Sequence, residues 1–210
     1  EVTDCNNQLL QGEIDQISDN PKEVIPSSDI VLLCLPGYLI QSTLRSIAPF
    51  LRPETEVGSV VCSSGFFWMA QHELGNGKKL FGFQRVPFIS RVTQYGAKAA
   101  LKGYKSLLKI GGSRNSDLQS LSAFFTQALN TPTVALSHYL EATLTNSNPI
   151  LHPARIYGML SDRTGDLYDR EYLFYEEWDE KSSDILIQCD NEFQQILSKL
   201  PIHQDEIPCL

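Results

Sequence analysis

The spacing of apolar positions changes character along this chain. Residues 29–37, DIVLLCLPG, form a continuous apolar run closed by Pro-Gly. Such a run predicts a strand buried on both faces, as in a parallel sheet. Ahead of it, Asp19-Asn20-Pro21 offers a capping side chain and a proline for a first helical turn, so DNPKEVIPSS reads as a short helix. Over 38–51, Leu39, Leu44, Ile47, Ala48 and Leu51 fall at helical spacing. EVGSVVCSSG (56–65) predicts a second buried strand, FFWMAQHEL (66–74) a helix and KLFGFQRVP (79–87) a third strand. This alternation is the signature of a doubly wound α/β fold.

Beyond residue 90 the pattern is less regular. YGAKAALKGYKSLLKIGG (95–112) reads as two strands turning at Lys102-Gly103. NSDLQSLSAFFTQAL (115–129) predicts an amphipathic helix with Leu118, Leu121, Phe124, Phe125 and Leu129 inward and Asn115 or Ser116 as cap. TPTVAL (131–136) predicts one more strand. From His138 onward the pattern is wholly helical, which places a domain boundary near residue 137. Residues 138–161 read as a helix broken in the middle by Pro149 and Pro153, with Asn146, Asn148 and His152 at the break. REYLFYEEW follows, and then 182–200, with a stripe of Ile185, Leu186, Cys189, Phe193, Ile196, Leu197 and Leu200.

Composition narrows the classes. The 210 residues are 42% hydrophobic and 20% charged, an ordinary globular balance. The net charge of −8, with no basic stripe, argues against a nucleic-acid partner. No apolar run approaches the ~20 residues of a membrane span. The five cysteines show no C-x-x-C, and Cys34 lies inside the first strand as a buried apolar residue. These features fit a reducing cytoplasm and suggest no metal site or disulfide framework. The start, EVTDCNNQ, is too polar for a signal peptide.

In open parallel sheets, ligands bind at the C-terminal ends of strands. Those ends are Leu35-Pro36-Gly37, Ser63-Ser64-Gly65 and the segment at Pro87. Each alone is turn chemistry; the three together suggest a nucleotide ledge. The chain has no G-x-G-x-x-G, so the sheet is expected to lack its first strand–turn–helix unit. His152 is the strongest candidate for moving protons at neutral pH. Arg155, one turn on, could meet a substrate carboxylate, and Asn148 offers an amide at the same spot. The competing reading is a kinked helix with a hydrogen-bonded core histidine. His138 reads as a helix start, His72 and His203 as surface positions, and the acidic run 162–180 as a solvated face. Tyr168, Tyr172, Phe174, Tyr175 and Trp178 within that run read as core or interface anchors.

The segments SSDIVLLCLPGYLIQSTLRSIAPFL, VGSVVCSSGF, RVPFISRVTQYGAK, NSNPILHPARIYG and FYEEWDEKSSDILIQCDNEFQQIL occur in that order. Together they resemble the octopine/nopaline (opine) dehydrogenase family over about residues 14–200, most specifically in Asn-Pro-x-x-His-Pro at 148–153. The resemblance implies a Rossmann-like, mostly parallel NAD(P)-binding domain over 1–137, incomplete at its first unit. An all-α substrate domain over 138–210 would follow, incomplete at its C-terminal end, with the active site in the cleft between them. It implies NAD or NADP as cofactor and reduction of an imine formed from a 2-oxo acid and an amino acid. His152 would be the catalytic histidine, and Arg91 joins Asn148 and Arg155 as a substrate-binding candidate. A second copy of the chain is an expected partner, as a homodimer. Two other readings stand beside this one: a 2-oxo-acid reductase of ketopantoate-reductase type, and a non-catalytic remnant that binds or assembles.

Overall fold

The computed structural model describes residues 1–63, 65–145, 147–162, 170–200 and 202. The chain forms two compact units, Glu1–Leu144 and Thr145–Leu210. The first contains β1 (Val2–Thr3), β2 (Leu9–Leu10), α1 (Pro21–Val24), β3 (Ile30–Leu33), α2 (Gly37–Ile47), β4 (Glu56–Val60) and α3 (Phe66–Leu74). It continues with β5 (Leu80–Phe83), β6 (Phe88–Gln94), β7 (Lys98–Tyr104), β8 (Leu108–Gly112), α4 (Leu118–Ala128), β9 (Thr133–Ala135) and α5 (Tyr139–Thr143). The second contains α6 (Asn148–Leu160) and α7 (Glu180–Leu197).

The main sheet has the order β3-β4-β5-β8-β9, parallel throughout except where β8 runs antiparallel to β5. Side chains on β5 alternate between its two faces. Leu80 joins a core with Leu44, Val57, Phe66 and Ala70, under α2 and α3. Phe81 and Phe83 join the opposite core with Ile110, Leu121 and Phe125, under α4. The sheet is therefore covered on both sides, which the apolar runs of β4 and β5 require. A Cβ on Gly58 would stand 2.3 Å from the Phe81 ring, so only glycine lets that ring lie flat on β4. The short helix before β3 forms as its sequence directs: the Asn20 side chain accepts from the Lys22 amide and Pro21 opens the first turn.

Several elements depart from the sequence reading. β3 is an edge strand among the described strands and is not buried on both faces; Leu32 is 36% exposed and Cys34 is exposed, not core. The hairpin turns at Tyr95-Gly96, not at Lys102-Gly103. Gly96, at φ +69°, takes the left-handed conformation the turn needs, while Gly103 pairs with Ile89 inside β7. β7 and β8 consequently lie in different sheets, and β6 and β7 complete a second sheet of order β2-β1-β7-β6. α4 is capped by Asp117, whose carboxylate accepts from the Ser120 amide, rather than by Asn115 or Ser116. Phe124 points outward, 49% exposed.

The first unit extends past the expected boundary at 137 because α5 packs on β5 and β8. α5 is capped at His138, whose Nδ1 accepts from the Leu140 amide, and the buried Glu141 carboxylate reaches back to the Ser137 and His138 amides. In the second unit, helix resumes at Asn148. Pro149 sits in the first turn, where a missing N–H costs nothing, and Pro153 lies inside the helix. Residues 148–153 are thus helical, not the break between two helices. REYLFYEEW is not a helix either. Residues 171–173 are irregular and Phe174–Glu177 form a turn.

Candidate functional site

In the first unit the expected ledge is present at the strand ends. The chain leaves β3 through the exposed residues Leu35, Pro36 and Gly37 and enters α2 with Pro36 as N-cap, with no side chain on the first amides. After β4, Ser63 is half-buried and Gly65, at φ +79°, caps α3 without a side-chain bond. Two helix N-termini with uncapped amides at the ends of adjacent parallel strands suit a polyanionic ligand. Pro87 is buried just beyond β5. Ser64, Asn146, Tyr168, His203 and Cys209 lie outside the described residues. Cys62 beside the ledge is not a nucleophile: burial pushes its thiol up to about 12. Arg91 is exposed on β6, and its guanidinium donates to the neighbouring Ser90 carbonyl at 2.8 Å. Among the described residues no group of three His, Cys, Asp or Glu is placed to hold a metal ion.

In the second unit the site is built on α6. Asn148 is exposed in the first turn. His152, half-buried one turn later, has its Nε2 2.9 Å from the Tyr175 hydroxyl. Its ring meets the Phe174 ring edge-on at 5.4 Å between centroids.

Arg155 has a different task from the substrate contact expected for it. It is 1% exposed. Its Nε donates to the Phe174 carbonyl at 3.0 Å, and Nη2 to the Glu177 carbonyl at 2.5 Å. Nη1 donates to Asp179 Oδ2 at 2.7 Å and to Ser182 Oγ at 3.2 Å. The guanidinium also lies 5.6 Å from the Trp178 ring centroid. A buried cation is tolerated only when paired and hydrogen-bonded, and these partners meet that need. They leave little of the fork for a substrate carboxylate. Asp179 in turn caps α7, its Oδ1 accepting from the Ser182 amide at 2.7 Å. The Ser182 hydroxyl and amide, and then Arg155, hold its carboxyl below the usual range. The acidic run is therefore partly a binding frame for Arg155.

Tyr175 escaped the sequence reading because its run, LFYEEW, offers five aromatic and apolar anchors of equal standing. Only the turn at 174–177 selects it. Arg155 looked available because its partners lie 19 to 27 residues downstream.

Residues 135–208 match the family model described as NAD/NADP octopine/nopaline dehydrogenase, alpha-helical domain. The chain belongs to the octopine/nopaline dehydrogenase family. An octopine dehydrogenase of Mizuhopecten yessoensis is 24% identical over 186 residues, covering 86% of this chain and 46% of the relative. A protein of Sinorhizobium fredii that carries no functional name is 26% identical over 201 residues, covering 91% and 53%. The structure of an octopine dehydrogenase with NADH and L-arginine superposes with a TM-score of 0.85 at 21% identity, covering 99% of this chain and 55% of that one. The Rossmann-like sheet and the helical second unit are thus the opine dehydrogenase architecture. The chain spans about half the length of the curated relatives it matches.

Proposed function

We propose that this chain supplies the cofactor ledge and the proton-handling histidine of an NAD(P)-dependent oxidoreductase of opine dehydrogenase type. The observation that carries the reading is His152: half-buried on α6 beside a hydroxyl, within the helical segment that matches the family. The substrate class is an imine formed when a 2-oxo acid condenses with an amino acid's amine and water leaves.

When bound, the reduced nicotinamide supplies the hydride that the imine carbon accepts. His152, as imidazolium, gives its proton to the imine nitrogen, and one hydride plus one proton complete the secondary amine. In the reverse direction the neutral ring removes that proton. Leu35, Pro36, Gly37, Ser63, Gly65 and Pro87 line the strand ends that would hold part of the dinucleotide. Their uncapped helix amides fit its negative charge.

His152→Asn should lower turnover by about 10²–10⁴-fold in the natural polypeptide that carries this sequence, the usual worth of one general acid–base. The assay combines a 2-oxo acid, an amino acid and reduced cofactor, and identifies the product by mass. A secondary amine supports the reading. A 2-hydroxy acid would replace it with the simpler reductase, and full turnover in the folded variant would end the assignment of His152. A cytoplasmic homodimer belongs to the same proposal, supported by the exposed Ile156, Tyr157 and Leu160 on α6. A monomer by light scattering across micromolar concentrations would remove that part. Among the described residues no helix is long and apolar enough to cross a membrane.

A further inference from the structure

Resting on the role proposed for His152, we infer that Tyr175 is its positioning residue, accepting from Nε2–H so that Nδ1 is the nitrogen that trades the proton. The geometry begins with an anomaly. Tyr175 is 65% exposed, yet its hydroxyl stands 2.9 Å from an imidazole nitrogen. A side chain so open has little packing of its own to hold it there, and fixing a tyrosine rotamer costs entropy.

The hold comes from the backbone on either side. Arg155 bonds the carbonyl of Phe174 immediately before Tyr175 and the carbonyl of Glu177 two residues after it. The Phe174 ring then wedges between, edge-on to Tyr175 at 4.7 Å and edge-on to His152 at 5.4 Å. Arg155 lies one turn from His152 on the same helix, so one rigid element carries both the ring and the clasp that brings Tyr175 to it.

The chemistry follows from which nitrogen is engaged. A base that trades its proton at Nδ1 keeps the other proton on Nε2 in both the neutral and the charged state. Tyr175 Oη can accept from that N–H throughout, so the ring need not reorient during turnover. This is the part a carboxylate plays for other catalytic histidines: it fixes the tautomer without moving a proton itself. A neutral hydroxyl does so without stabilising the imidazolium as strongly as a carboxylate would.

The test is ¹⁵N-edited NMR of the His152 side chain in the full 210-residue chain, with Tyr175→Phe and Arg155→Lys beside it. The expected result is a neutral His152 protonated on Nε2, with an Nε2–H resonance protected from exchange. That protection should be lost in Tyr175→Phe, which keeps the ring and the fold, and in Arg155→Lys, which keeps the charge but not the fork. In the active natural polypeptide, Tyr175→Phe should lower kcat about tenfold with KM unchanged, the loss of one positioning bond. A neutral His152 protonated on Nδ1 overturns the inference, as does an unchanged Nε2–H signal in Tyr175→Phe. Either result leaves the His152→Asn test of the proposed function standing, and full turnover in His152→Asn would remove that function whatever the NMR shows.

Discussion

Gly158→Ala is a substitution whose sign the structure decides. In an open helix, replacing glycine by alanine adds about 1 kcal/mol of stability, because alanine is the better helix former. Gly158 lies on α6 where α7 comes close. A Cβ there would stand 2.2 Å from Ser182 Oγ, 3.1 Å from its Cα and 3.2 Å from its Cβ. The hydroxyl can rotate away, but it then leaves the Arg155 Nη1 bond of 3.2 Å, worth about 1 kcal/mol. The contact with Cα is with backbone and can be relieved only by moving the helices apart, an overpacking cost of about 1–3 kcal/mol. Set against the propensity gain, the net is a loss of about 1–3 kcal/mol. Urea unfolding followed by Trp178 fluorescence, in a background where the exposed Trp68 is replaced by phenylalanine, reads the second unit alone. A midpoint equal to or above that of the parent would refute the close approach of α6 and α7 at this point.

A second expectation concerns acid. The Glu73 carboxyl takes bonds from Arg45 and Gln41, which hold it at about 2 against an ordinary 4.5. A lowered folded pKa means the contribution is complete above the ordinary carboxylate range and is lost as pH falls from about 4.5 toward 2. The difference in melting temperature between the parent and Glu73→Gln should shrink over that window, and a difference independent of pH would count against the α2–α3 clasp. A third concerns the cofactor. Residues 1–210 contain no G-x-G-x-x-G, so calorimetry on this chain should find NADH and NADPH bound more weakly than micromolar. Micromolar affinity would mean the ledge at 35–37 and 63–65 suffices without the pyrophosphate turn.

The parts legible in the sequence are those governed by local rules. The helix 66–74, the cap at Asn20 and the apolar runs of β4 and β5 were fixed by neighbours within a few residues. His138 was legible as a helix start for the same reason. The failures share one cause, a partner distant in the chain. The second sheet depends on β1 pairing with β7, nearly a hundred residues apart, and no periodicity reports such a pairing. Residues 171–178 carry a helical pattern of aromatics, yet the carbonyls of Phe174 and Glu177 go to Arg155 instead of to a helical ladder. At the site, residue type and motif were enough to single out His152. Neither could show that Arg155 is spent inside the unit or that Tyr175 reaches the imidazole.

The way Arg155 grips its loop bears on how this protein can change over evolutionary time. Two of its bonds go to main-chain oxygens, which every amino acid possesses. The side chains at 174–177 can therefore be exchanged without dismantling the scaffold that presents them, provided the turn itself is kept. A lineage could alter the group facing His152, from phenol to amide to aliphatic, by single substitutions at position 175. It could sample new substrates in this way while the clasp stays where it is. The cost of that freedom falls on Arg155, Asp179 and Ser182, where side-chain identity makes the contact and few replacements would serve.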